Sequence, residues 1–340
     1  MKNFIRLAMI IFLMMSLYNC GFQKETLFSG ATMGTTYHIK VVTGYFRNAI
    51  FLQTKIDARL EEINKSMSIY IENSEISRFN ERTGINKAFY PSIDFMNVMT
   101  VAKNLYELTG GAWDGTVKPL ISLWGFYAPA GSTKKIPEPN EIVSILSETG
   151  LNHIEISKNG SFLKKKACIS LDLSSVAKGY GVDAVAKIIK ENGFENFLVE
   201  IGGEVITSGF RTDGKHWKVG INHPQRCGPI NSVYKVITIH DKALATSGDY
   251  RNFFEIDGKR YSHVIDPRTG YPVSNGVVSV SVTADTCALA DGLATAVMVL
   301  GHTKGIELVN RLEGVECLIV VEKENGDLIN HCSRGFKFQG

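Results

Sequence analysis

The order in which helix-like and strand-like segments follow one another constrains this chain most. Residues 48–67 place Phe51, Leu52, Ile56, Leu60, Ile63 and Met67 at helical spacing. Residues 92–108 form a second amphipathic pattern, stopped by Gly110-Gly111, and residues 138–148 and 176–191 read as two more helices. Strand-like alternation marks residues 37–42, 154–156 and 168–171. It then dominates the second half, at 197–201, 205–208, 217–221, 233–239, 253–256 and 277–282, between turns rich in Gly, Asn and Asp. Residues 286–300 read as a buried helix and 304–312 as another, before closing strands at 318–321 and near Asn330. Helices and strands are mixed without strict alternation, which favours an α+β fold over a doubly wound parallel sheet. No repeat or clean linker interrupts the 340 residues. The expectation is a single compact two-lobed body of mixed sheets flanked by helices.

The N-terminus reads as a targeting segment. Lys2 and Arg6 precede an apolar stretch at 7–18 that is short for a bilayer span but suits a secretory signal. It ends at Leu17-Tyr18-Asn19-Cys20, followed by Gly21, which resembles a lipobox. The expected division is a signal peptide at 1–19, a lipidated tether at 20–26 and a domain at 27–340. A plain cleaved signal and an uncleaved anchor are the alternatives. The expected location is the bacterial cell envelope, with the domain outside the cytoplasm and an acyl chain on Cys20 in the membrane.

Without Lys2 and Arg6, 35 basic residues face 34 acidic ones. A nearly neutral body offers no electrostatic footprint for nucleic acid. Beyond Cys20, five cysteines remain (Cys168, Cys227, Cys287, Cys317 and Cys332), with no close pair. Neither a zinc site nor a disulfide framework follows. Cys168, Cys287 and Cys317 sit in apolar runs and are expected to be buried.

Five segments hold more special residues than a core needs. They are Met33-Gly34-Thr35-Thr36-Tyr37; Met67-Ser68-Ile69-Tyr70 with the stretch 74–80; Gly111-Ala112-Trp113-Asp114-Gly115-Thr116 leading to Leu123-Trp124-Gly125-Phe126; Asp172-Leu173-Ser174-Ser175-Val176-Ala177-Lys178-Gly179; and a split segment. The last comprises Thr246-Ser247-Gly248-Asp249-Tyr250, His263-Val264-Ile265-Asp266-Pro267, and Ala290-Asp291-Gly292-Leu293-Ala294-Thr295. Asp291 and Thr295 are four apart, so on a helix they share a face. Carboxylate and hydroxyl are hard oxygen donors of the kind Mg²⁺ takes. Asp291 lies in an apolar run, where an ion would offset the cost of its charge. An Asp in a helix's first turn, favoured by the dipole, is the alternative. His263 has the pKa range of a general base, or else caps the Asp266-Pro267 turn.

In order along the chain, these segments closely resemble the ApbE family, the FAD:protein FMN transferases. The resemblance implies a T-fold-like α+β body with flavin between its lobes. It also implies Mg²⁺-dependent transfer of FMN from FAD to a Thr or Ser hydroxyl of client flavoproteins, with release of AMP. Met33, Tyr70, Ala112, Trp113, Asp114, Asp172, Lys178 and Ile265 match the family's flavin-contacting positions. Asp291 and Thr295 match its metal ligands, completed by backbone carbonyls at Ser175 and Ala294. His263 falls at the expected base. Implied clients are extracytoplasmic subunits of redox-driven ion pumps and FMN-binding domains. FAD hydrolysis to FMN and AMP, or flavin binding without chemistry, are the other readings.

Overall fold

The structure, a computed structural model, describes residues 23–129, 132, 134–157, 160–225, 232–249 and 252–338. The signal and anchor expectations up to residue 22, and those on Cys227 and Tyr250, lie outside the described residues. An eight-stranded antiparallel sheet is the frame, in the order β1-β2-β5-β6-β9-β12-β13-β14. These strands are β1 Gln23–Thr32, β2 Thr35–Gly44, β5 Phe197–Ile201, β6 Glu204–Ser208, β9 Ala243–Gly248, β12 Val277–Ala284, β13 Glu316–Glu322 and β14 Leu328–Cys332. Two short hairpins, β3 Ile154–Ile156 with β4 Phe162–Lys164 and β10 Phe253–Ile256 with β11 Lys259–Ser262, stand outside it. The β1–β2 hairpin turns through Met33 and Gly34, both at positive φ (49° and 72°), as a two-residue turn with the twist of its strands requires. A methionine held there is backbone strain at a residue the motifs single out.

The sheet's two faces follow from period-two alternation. On β12 and β13, Val280, Val282, Cys317 and Ile319 face the main core, whereas Val278, Leu318 and Val320 face the opposite layer. A register shift between Val277 and Ser279 returns Val277 to the main core. The opposite layer is the hairpin of β7 Trp217–Asn222 and β8 Val233–Ile239, which contributes Ile221, Ile237 and Ile239. The main core is completed by helices α1 Leu52–Met67, α3 Ile93–Leu108, α6 Ser174–Glu191 and α7 Cys287–Val309. Asp94 ties three of them together, accepting from both guanidinium arms of Arg59 and, at 2.6 Å, from the Tyr180 hydroxyl. Helices α6 and α7 touch at Gly179, where an added Cβ would sit 2.4 Å from the Cys287 carbonyl oxygen.

The second lobe is small. Helices α4 Lys118–Leu123 and α5 Pro139–Glu148 enclose a satellite core of Leu120, Trp124, Ile142, Tyr261 and Ile265 with the β10–β11 hairpin. Trp124 stacks on Tyr261 with ring centroids 5.6 Å apart and donates to the Gly270 carbonyl. The cleft lies between this lobe, the start of α6 and the face of α7 that carries Asp291, Thr295 and Val299.

Two expectations change. Residues 23–26, expected as tether, already belong to β1 and pair with β2. Residues 168–171 form no strand, and Cys168 is exposed in a turn. The two expected C-terminal helices are both present within α7, meeting at non-helical Gly301 (φ 77°). The short helices α2 Glu75–Glu81 and α4, and strands β1, β4, β9 and β11, were not foreseen.

Candidate active site

Two cavities of about 280 and 560 Å³ lie side by side. The smaller is walled by Ala112, Trp113, Asp114, Ser175, His263, Ile265, Asp291 and Thr295. The larger holds Met33 and Tyr70. Asp172, Ser174 and Lys178 line both, so the N-terminal turn of α6 is their common wall. The motifs, spread over most of the chain, therefore converge on one cleft. The Ala294 side chain is fully buried in the main core, and the ligand expected at that position is its backbone carbonyl.

The floor of the smaller cavity is a set of charges and hard oxygens. Asp291 is 3% exposed; its Oδ2 accepts the Gly179 N–H at 3.1 Å and its Oδ1 lies 3.9 Å from Lys178 Nζ. In helical register that N–H faces the carbonyl of Ser175, so carboxylate and carbonyl share a neighbourhood. Burial pushes the Asp291 carboxyl above its usual range, against the pull of Lys178. Thr295 Oγ1 stands 3.0 Å from Ser247 Oγ. Lys178 forms a 2.5 Å ion pair with Glu204, which is 2% exposed and opens β6. Burial pushes the Glu204 carboxyl above its usual range, with Lys178 opposing and Asp291 adding to the shift. Among the described residues, no three His, Cys, Asp or Glu side chains gather as a metal site of that kind would. The donors here are instead one carboxylate, one hydroxyl and backbone carbonyl oxygen, a hard set that suits Mg²⁺.

The walls are fixed by the residues between the elements. Trp113 Nε1 donates to Ser175 Oγ at 3.0 Å, pinning the indole against α6. Asp172 accepts from the Ser174 N–H at 2.8 Å and from the Tyr127 hydroxyl, which couples the small lobe to the start of α6. Asn80 grips Leu171 with both ends of its amide, at 2.7 and 2.8 Å, and holds the approach to Asp172. Asp114 lines the cavity, and its carboxylate accepts from the Thr116 N–H, the Thr116 hydroxyl and the Leu151 N–H, so its side chain also organises the loop.

His263 Nδ1 lies 2.9 Å from the Asn252 carbonyl oxygen. A carbonyl only accepts, so Nδ1 carries the proton and Nε2 keeps its lone pair. Burial, with Arg260 nearby, lowers the imidazole's pKa from its ordinary 6.5. A neutral, oriented histidine at a cavity wall is equipped to take a proton. At the rim of the larger cavity Tyr70 is 85% exposed, leaving a free aromatic face for stacking.

Four residues of the cleft escaped the sequence reading: Glu204, Ser247, Tyr127 and Asn80. Ser247 and Asn80 lie inside quoted motifs, and Tyr127 directly follows one. Glu204 had only the Gly202-Gly203 turn as a signal.

A cleft with hard oxygen donors, a lysine, a neutral histidine and two adjoining ligand chambers belongs to a nucleotide-handling enzyme. A sequence model described as the ApbE family matches residues 33–319. The chain belongs to the ApbE family. It is 43% identical over 318 residues to a protein of Vibrio cholerae named FAD:protein FMN transferase, covering 92% of each. A protein of the same name from Haemophilus influenzae is 38% identical over 99% of this chain and 98% of its own length. Among solved structures, flavin transferase ApbE from Vibrio cholerae superposes with a TM-score of 0.82 at 40% identity, over 92% of this chain and 98% of that one. The apo flavinyl transferase ApbE of Pseudomonas stutzeri gives 0.82 at 33% identity, over 92% and 95%.

Proposed function

We propose that this enzyme transfers the FMN half of FAD to a Thr or Ser hydroxyl of a client flavoprotein and releases AMP. The observation that carries this reading is the junction at Asp172 and Lys178. There a chamber with an open aromatic face meets a chamber with Asp291, Thr295 and His263 on its walls. A dinucleotide laid across that junction has its pyrophosphate beside the lysine and its two ring systems on either side. The names of the relatives support the same chemistry.

Asp291, Thr295 and the carbonyl of Ser175 are the residues that would hold Mg²⁺. A bound Mg²⁺ supplies Lewis-acid neutralisation of the pyrophosphate oxygens. Lys178 contributes a positive charge to the same group. Nε2 of His263 accepts the proton of the client hydroxyl, whose oxygen bonds to the FMN phosphorus. The bond from that phosphorus to the bridging oxygen breaks, and AMP leaves with the electron pair. Trp113 and Ile265 exclude water from the wall on which this occurs. By this reading the enzyme is a lipoprotein of the bacterial cell envelope, held through Cys20, and its clients are extracytoplasmic subunits of redox-driven ion pumps or FMN-binding domains.

The test incubates the full-length protein in detergent with FAD, Mg²⁺ and a candidate client domain. A mass gain of one FMN on the client with an equal yield of AMP is expected. Free FMN and AMP with an unmodified client would make the protein a hydrolase. Full activity in excess EDTA would remove the metal from the mechanism.

A further inference from the structure

The buried charges on the floor of the smaller cavity are unevenly matched. Lys178 Nζ pairs with Glu204 Oε1 at 2.5 Å and stands 3.9 Å from Asp291 Oδ1. Glu204 Oε2 is buried and has no hydrogen-bond partner. Asp183 is accounted for elsewhere: its carboxylate accepts the Cys287 and Ala288 N–H groups at 2.8 and 2.9 Å, at the start of α7. With the Glu204 and Asp291 carboxylates both ionised, the two share one ammonium, leaving a single net negative charge. The ammonium is beside the same oxygens a divalent cation would need. We infer that Lys178, held by Glu204, is the resident counterion of Asp291, and that it couples metal binding to FAD binding.

The charge balance gives the coupling its sign. A dication bound alone turns the cluster positive and sits against the ammonium. A pyrophosphate bound alone adds two negative charges to a cluster already negative. Bound together they return the cluster to its starting charge, with the ammonium drawn to the phosphate oxygens. Each ligand therefore improves the other's affinity, and by linkage the two improvements are equal. Glu204 acts through Lys178 as a positioning residue, keeping the ammonium at the wall that both cavities share.

This inference rests on the metal assignment at Asp291, and its test separates the two. Mn²⁺ is titrated into the full-length, FAD-free protein in detergent, with the free ion read by electron paramagnetic resonance. Lys178→Met is expected to tighten Mn²⁺ by about tenfold or more, a coupling of ordinary size, while weakening FAD. Lys178→Arg, which keeps the charge, is expected to bind Mn²⁺ as weakly as the wild type. Such opposite shifts for metal and FAD do not arise from a merely damaged fold, and Lys178→Gln serves if the Met variant fails to fold. Unchanged or weaker Mn²⁺ binding in the neutral variants, or equal tightening by Arg, overturns the counterion. If Asp291→Asn still abolishes binding in that preparation, the metal assignment stands without it. Mn²⁺ binding indifferent to Asp291→Asn overturns both.

Discussion

His263 is neutral for a reason that can be tested. Its ring has the Asn252 carbonyl on Nδ1, and burial lowers its pKa below the ordinary 6.5. The base form therefore persists to lower pH, and transfer slows only as pH falls through the lowered value. The acid limb of kcat is expected below pH 6.5 and absent from His263→Ala, whose rate should drop by about 10²- to 10⁴-fold with FAD affinity kept. A limb at or above 6.5, or an unchanged rate, would make His263 a turn residue. Most of the cleft's wall was legible at this scale because motifs concentrate rare side chains such as Trp113, Asp172 and His263. Glu204 was not, since a buried carboxylate has no periodic signature and its partner Lys178 lies on a different element. Asp114 was legible as special, and the Asp-Gly-Thr turn that folds back on its carboxylate was not.

Among elements, the contact of α6 with α7 sets the site. Gly179 allows the approach and also donates its N–H to Asp291. Ala is the better helix former by up to about 1 kcal/mol. Its Cβ, however, would meet the Cys287 carbonyl and the Ala288 nitrogen, backbone atoms that cannot rotate aside. Overpacking costs about 1–3 kcal/mol, so Gly179→Ala is expected to lower stability and to displace Asp291. Denaturant unfolding together with AMP release measures both; an equally stable, fully active variant would refute the contact's importance. The helices were legible from their apolar spacing, as with Leu52, Ile56, Leu60 and Ile63 on α1. Strand β9 was not, because Ala243, Ala245 and Ser247 are small residues that only tertiary pairing makes a strand. The start of β1 read as a tether because Gln23, Lys24 and Glu25 are exposed on an edge. Charges there are what keeps an open edge from recruiting another chain.

For the whole molecule, no described helix is long and apolar enough to cross a membrane. In the proposed reading the attachment is at the N-terminus. Cys20→Ser should move the protein from the membrane to the soluble fraction with its FAD affinity intact, and unchanged fractionation would dismiss the anchor. The position of β1 then has a consequence for encounter. Its first paired residue, Gln23, lies three residues past Cys20, a reach of at most about 11 Å. Were Cys20 lipidated as proposed, so short a leash would keep the catalytic body skimming the lipid surface instead of ranging through the surrounding fluid. A client fixed in the same membrane would meet it by a search in two dimensions, whereas a freely diffusing one would find it only by striking that thin layer.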